Sequence, residues 1–445
     1  MERFQAYVDA NRERFLDELK SLCAQPSIAA QGIGLDETAD LVQVRLERLG
    51  AQVRRFTVDG SPPILYAEVG QGERTMLVYN HYDVQPPDPL DEWHSPPFQP
   101  AERDGRIYAR GVADDKGDLI CRFQAVEAYQ EAVGPLPLRL RFLIEGEEEV
   151  GSPHLAVFAD RHRDLLQADG CLWETGEKDA ARRPVLTLGV KGICYVELSR
   201  RTAATDLHSM WGGVIPNAAW RLVWALDTLK DAQDRIQVDG LMDHVRPPSA
   251  AERQHLASLP FDEEQVRKDF GVDRFVQDLT GVDLLVKLFY EPTCTICGLR
   301  SGYIEEGSKT VLPSTATAKV DFRLVPDLTP DLVMELLQAH LAARGFADID
   351  IQGTHGTMPA RSATDAPFVQ SCVEAARWTY NQEPVVYPNS PGSGPLYTLC
   401  REIPTVMAGV AHANSRLHAP NENIYVQDYF EGIRFMGELI QRFAA

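Results

Sequence analysis

The sequence predicts an α/β protein: an outer domain with a mostly parallel sheet, interrupted by an inserted α+β unit. Three observations predict it. Short apolar runs alternate with helical stretches in the first part of the chain, the pattern of βαβ units. The texture changes to a strand- and helix-containing unit of different order after VLTLGVKGICYVELSRR. The tail then returns to alternating texture, so residues 1–191 and 358–445 form one discontinuous domain and 192–357 the insertion. A chain of 445 residues is too long for one ordinary domain, which agrees.

The elements follow in order. The N-terminal stretch MERFQAYVDANRERFLDELKSL reads as an amphipathic helix with Phe4, Val8, Phe15 and Leu19 on one face. It lacks the basic and apolar regions of a secretory signal, and no apolar run is long enough to span a bilayer. The expected location is the cytoplasm. TMLVYNHYDV (75–84), LRLRFLIEG (138–146) and GCLWE (170–174) read as buried strands running into loops. GDLICRFQAVEAYQEA and HLAVFADRHRDLL, between them, read as helices. In the insertion, the helix NAAWRLVWALDTLKD precedes a charged, Pro-containing stretch at about 235–290. Strands TICGLRSG and TATAKVDFRLVP, the helix TPDLVMELLQAHLAARG and the strand DIDIQGTHG follow. The tail offers a helix near 365–380, the strand IPTVMAGV, and a long last helix in ENIYVQDYFEGIRFMGELIQRF.

Composition narrows the function. With 44 basic and 65 acidic residues the formal charge is −21, which argues against nucleic acid or an anionic membrane as partner. Acids gathered in one site would also repel one another unless cations were bound. The eight cysteines are scattered without disulfide spacing, as in a reducing compartment. Cys294 and Cys297 form one CxxC, read as ordinary buried thiols because side chains three positions apart in a strand point to opposite faces.

Five segments carry chemistry. His81 falls where an apolar strand ends, the place where open α/β sheets bind ligands. Its neutral imidazole can coordinate zinc, and Asp83 can accept its other N–H. Asp114, Asp115 and Asp118 lie in RGVADDKGD just before a helix; one carboxylate suffices for capping, and three are present. Four glutamates in five positions (Glu145, Glu147, Glu148, Glu149) follow LRFLI at another strand end. One can ligate a metal while its neighbour stays free to accept a proton. Glu174 follows the strand CLW, and His418 lies in the loop between IPTVMAGV and the last helix. Each alone has a bland structural reading. Together they recur at strand ends or in the loops after them, on one edge of one sheet, and a polynuclear metal site gives that clustering.

The segments NHYDVQP, YARGVADDKGD, IEGEEEVGS, DLHSMWGG, VDFRLVP, SPGSGP and HAPNE, in this order and spacing, resemble a known family. It is that of the co-catalytic zinc exopeptidases and deacylases: carnosinase-like dipeptidases, aminoacylase, acetylornithine deacetylase and succinyl-diaminopimelate desuccinylase. The resemblance covers nearly the whole chain and implies the zinc-exopeptidase fold, with the insertion as a lid and dimerisation domain. It implies two divalent ions, zinc first, with cobalt or manganese also fitting imidazole and carboxylate donors. His81, Asp114 and Glu174 would hold one ion, and Asp114, Glu149 and His418 the other, with Asp114 bridging. Glu148 would be the general base. The peptide bond after Asp114 would be cis. His208 would polarise the substrate carbonyl, often from a partner subunit of a homodimer. Arg323 would bind the substrate carboxylate, and Ser393 and Gly394 would line the pocket.

The family pattern DLHSG is broken by Met210 and Trp211, which bears on pocket shape. Glu174 matches the deacylase and aminopeptidase branches, whereas WHSPPF and EGEEEVGS match the dipeptidase branch. The implied function is hydrolysis of the amide bond of dipeptides or similar short substrates with a free carboxylate. The alternatives are an N-acyl-amino-acid deacylase and a non-catalytic metal- or peptide-binding protein.

Overall fold

The computed structural model describes residues 1–445. The chain separates into two compact units. One comprises 1–189, 361–388 and 398–445; the other comprises 190–360 and 389–397.

The first unit is built on an eight-stranded sheet. Its strand order is Gln52–Phe56, Ile64–Val69, Arg139–Glu145, Thr75–His81, Gly170–Trp173, Thr405–Met407, Val185–Thr187, Val385–Tyr387. The four central strands run parallel to one another, so their carboxyl ends share one edge. His81 pairs in register with Glu145 at that edge. The strand Thr75–His81 is buried at every position, which explains why it reads as a continuous apolar run rather than an alternating one. The outer strand pairs Gln52–Phe56 with Ile64–Val69 and Ile64–Val69 with Arg139–Glu145 are antiparallel, the common way for such a sheet to end.

Helices Lys116–Ala132, Pro367–Tyr380 and Val426–Phe443 supply side chains to the first unit's core. The N-terminal stretch forms two helices, Glu2–Ala10 and Arg12–Cys23, with Asn11 between them at φ −102°. The expected apolar face survives the break: Phe4, Val8, Phe15 and Leu19 are all fully buried. The last helix begins at Val426, later than the sequence suggests, because Asn423–Tyr425 pairs as a strand with Arg106–Tyr108. Backbone pairing there competes with the helical pattern and wins for three residues. No helix is long and apolar enough to cross a membrane.

The second unit holds a four-stranded antiparallel sheet in the order Thr295–Ser301, Thr315–Leu324, Gly192–Arg201, Asp350–Thr357. Helices Ala218–Asp227 and Pro330–Ala343 add Leu222, Ala225, Val333 and Leu337 to its core. Asn217 caps the first by accepting from Ala219 N and Trp220 N, and Thr329 caps the second. The charged stretch at 235–290 contains three helices, Ala250–Ser258, Glu263–Phe270 and Gly281–Tyr290. Ser249 opens the first of these with a capping box closed by Glu252.

Candidate metal centre

The parallel strands deliver His81, Glu145 and Glu174 to one edge of the sheet, since the residues directly after Ile144 and Trp173 emerge there with His81. Asp114 reaches the same place from the loop before helix Lys116–Ala132, and His418 from the loop before the last helix. The geometry centres on Asp114. Its Oδ1 lies 3.0 Å from His81 Nε2 and its Oδ2 lies 3.1 Å from His418 Nε2. Glu174 Oε2 stands 3.7 Å from His81 Nε2, and Glu149 Oε2 stands 3.2 Å from His418 Nε2. Two groups result. His81, Glu148 and Glu174 offer donor atoms within 4.8 Å of one another, and Asp114, Glu149 and His418 do the same. Asp114, with one oxygen toward each imidazole, joins them. The Asp114–Asp115 peptide bond is cis.

Neighbouring groups aim these side chains. His81 Nδ1 lies 3.0 Å from the Asp83 carbonyl and 3.3 Å from its carboxylate, which directs Nε2 toward Asp114. The same Asp83 carboxylate accepts from Glu148 N at 3.2 Å and Glu149 N at 3.0 Å. One buried acid therefore orients an imidazole and fixes the turn that carries two glutamates. Gln85 holds Glu149 through its Nε2 at 2.9 Å and its backbone N at 3.2 Å. Asp115 accepts from His81 N and from Asn80 Nδ2. Arg122, on helix Lys116–Ala132, donates to the carbonyls of Tyr79, Trp173 and Ala408, tying together the ends of three central strands.

The electrostatics suit cations. Burial pushes the Glu174 carboxyl well above its ordinary range, and Glu148 raises it further. Burial likewise pushes Glu148 up to about 7, with His81 opposing and Asp114 and Glu149 adding to the rise. Asp114 is instead held below the usual carboxylate range: the His418 and His81 hydrogen bonds outweigh its burial. His418 is raised to about 10 by its bonds to Asp114 and Glu149. Glu174 Oε2 is buried without a hydrogen-bond partner. An unpaired buried carboxylate oxygen facing an imidazole costs several kcal/mol, on the order set by desolvation, and a divalent cation offsets that cost. The donor set therefore fits metal ions.

The remaining sequence-predicted residues lie in the second unit. His208, at the end of the short strand Leu207–His208, is exposed. Its Nδ1 accepts from Met210 N at 3.2 Å, and its Nε2 lies 3.4 Å from Thr310 Oγ1. Arg323 on strand Thr315–Leu324 donates to Ser393 Oγ at 2.9 Å, and Ser393 Oγ donates to the Gly192 carbonyl at 3.0 Å. Gly394 has open space where a side chain would be. Sequence reasoning missed Gln85, Arg122 and Glu422 as partners of the site. Glu422 was visible inside HAPNE, but nothing in its spacing says that it reaches residues about 310 positions earlier.

The strand-end cluster of imidazoles and carboxylates on a parallel sheet has the donor set of a metal centre. The chain belongs to peptidase family M20/M25/M40, whose model matches residues 77–442, and is a metallopeptidase. It is 28% identical to the beta-Ala-His dipeptidase of Rattus norvegicus over 466 aligned positions, covering 97% of this chain and 93% of the relative. It is 30% identical to the cysteinylglycine-S-conjugate dipeptidase of Corynebacterium striatum, covering 93% of this chain and 92% of the relative. Among solved structures, the M20 family metallo-carboxypeptidase Sso-CP2 of Sulfolobus solfataricus superposes with a TM-score of 0.86 at 36% identity. That match covers 97% of this chain and 99% of the other. Human carnosine dipeptidase 1 gives a TM-score of 0.77 at 27% identity, covering 100% and 98%.

Proposed function

We propose that the chain is a two-metal dipeptidase acting on short substrates with a free carboxylate. The observation that carries this reading is Asp114, whose two oxygens address His81 and His418 at 3.0 and 3.1 Å. His81, Asp114 and Glu174 would hold one divalent ion, and Asp114, Glu149 and His418 the other, zinc being the first choice for these donors. When bound, the ions polarise the amide carbonyl and acidify water.

The chain's own groups do the rest. Glu148 accepts the proton of the attacking water and returns it to the leaving amine. Burial raises its carboxyl to about 7 in the metal-free chain; bound cations would lower it and leave it ionised to accept the proton. Asp83 keeps the Glu148–Glu149 turn and the His81 ring in place. His208 donates to the carbonyl oxygen as it gains charge, worth about 3–4 kcal/mol for one such donor. Arg323, held by Ser393, binds the substrate carboxylate through charge-assisted bonds. Gly394 leaves room beside it.

A homodimer through the second unit goes with this reading. The edge strand Thr295–Ser301 exposes Ile296 and Leu299, and helix Ala218–Asp227 exposes Trp220 and Trp224. Unpaired sheet edges and exposed apolar side chains of this kind mark association surfaces.

The test is a hydrolysis panel of dipeptides against N-acetyl and N-succinyl amino acids, run with metal analysis. Dipeptide cleavage that requires about two ions per chain is expected. Cleavage of the N-acyl compounds alone would replace the reading with a deacylase, the branch that Glu174 matches. Metal uptake without any cleavage would make the chain a binding protein. In the same assay Glu148→Ala should keep both ions and lose about 10²–10⁴-fold in turnover; wild-type turnover in that variant would remove Glu148 from the role of base.

A further inference from the structure

The acid Glu422 is fully buried, and its carboxylate accepts four hydrogen bonds from the segment that presents Asp114. Oε1 accepts from Ala113 N at 2.8 Å and Asp114 N at 3.1 Å. Oε2 accepts from Gly111 N at 2.9 Å and from the Arg110 guanidinium at 2.8 Å. Four donors match the four lone-pair sites of one carboxylate. The segment 111–115 is in neither helix nor strand, so these N–H groups have no ladder to satisfy them. The Glu422 backbone carbonyl also accepts from Ala109 N at 3.2 Å. Glu422 lies four residues beyond His418, and His418 Nε2 is 3.1 Å from Asp114 Oδ2. One residue thus anchors the Asp114 loop to the stretch of chain that carries His418.

We propose that Glu422 is a positioning residue for the second metal, fixing Asp114 and His418 relative to each other. The inference rests on the two-metal reading above. Its physical content is the match of one acceptor-only group to three backbone donors and one guanidinium. Glutamine is nearly the same size but carries one oxygen and an amide donor. In whichever orientation it sits, one side of the cradle meets donor against donor. The Asp114 backbone then loses its fixed position, and the ion held by Asp114, Glu149 and His418 suffers most, because both of its ends depend on this anchor.

The experiment is a cobalt(II) titration of the metal-free full chain, wild type and Glu422→Gln, followed by visible absorption and equilibrium dialysis. The thermal midpoint of the metal-free proteins is taken by circular dichroism. Wild type should bind two cobalt ions per chain. Glu422→Gln should keep its fold and both sites; the one held by Asp114, Glu149 and His418 weakens about 10–100-fold and its visible band changes, while the other, which shares only Asp114 with it, weakens less. Two sites of wild-type affinity and spectrum in the variant would overturn the proposal and leave the two-metal reading intact. Fewer than two sites in wild type would overturn both. If Glu422→Gln does not fold, Glu422→Asp is measured the same way; it keeps the charge and shortens the reach by one methylene. Weakening of the Asp114–Glu149–His418 site beyond that of the other supports the proposal. Wild-type binding, equal weakening of both sites, or failure of this variant also to fold overturns it.

Discussion

At the scale of single residues, the site works by giving each acid a different environment. Asp114 is held ionised by two imidazoles, while Glu148 and Glu174 are pushed up by burial. These opposed directions set Asp114 apart from both glutamates. They also couple metal loading to pH. His418, raised to about 10 by Asp114 and Glu149, carries a proton at neutrality in the metal-free protein. An ion must displace that proton, so affinity at the Asp114–Glu149–His418 site should fall as pH drops below about 10, by up to tenfold per pH unit from this group. Proton release on metal binding, measured in weakly buffered solution, checks it; binding without proton release at pH 7–8 would contradict it. The case of Asp83 shows how much one buried acid can do. It steadies the His81 ring and caps the N–H groups of both Glu148 and Glu149.

Among elements, packing leaves little slack. Gly437 in the last helix lies under the Phe4 ring of the first: a Cβ there would sit 2.3 Å from Phe4 Cζ. The ring is fully buried and has nowhere to go. Gly437→Ala should therefore destabilise the first unit by about 1–3 kcal/mol from overpacking, despite alanine's better helix propensity. A urea midpoint equal to or above wild type would refute this. In the second unit, His340 on helix Pro330–Ala343 is buried. Its Nδ1 accepts from Asp239 N at 3.0 Å, and its Nε2 donates to the Thr228 carbonyl at 3.0 Å. Protonation would put a second N–H against the Asp239 N–H. Burial lowers its pKa below the ordinary 6.5, and the Arg344 charge adds to the effect. Above about pH 6.5 neither folded nor unfolded chain carries this proton. As pH falls below that value the unfolded chain takes it up first, so stability is lost toward acid. The thermal midpoint of His340→Gln should depend less on pH between 7 and 5 than that of wild type; parallel curves would dismiss the residue as a source of acid sensitivity.

At the scale of the whole molecule, two chains can share one set of catalytic parts. If His208 acts across a homodimer, inactive Glu148→Ala and His208→Ala chains hold complementary defects. Mixed after subunit exchange, they should recover activity approaching one quarter of wild type on statistical pairing, with one of four sites per two dimers complete, an order-of-magnitude expectation for a closed twofold assembly. Exchange confirmed by mass, with no recovered activity, would show that each chain is self-contained. The exposed Ile296, Leu299, Trp220 and Trp224 are the side chains such an assembly would cover.

The strands ending at His81, Glu145 and Trp173 were legible because parallel strands buried on both faces are written as unbroken apolar runs, and the polar residue that ends each run marks the sheet edge. The α/β class and the grouping of acids and histidines followed from that pattern, and the family resemblance supplied their roles. The sequence did not show the break at Asn11, the three helices within 235–290 or the strand at Asn423–Tyr425, because pairing and capping there depend on partners that periodicity does not reveal. Nor did it show that Asp83 serves three groups, that Arg122 ties three strand ends together, or that Glu422 cradles the Asp114 loop. By itself the sequence determined which side chains have the chemistry to hold metal and which strand ends present them. Only the tertiary structure decided which oxygen faces which imidazole, because hydrogen bonds have a reach of about 3 Å and join residues hundreds of positions apart only once the chain has folded.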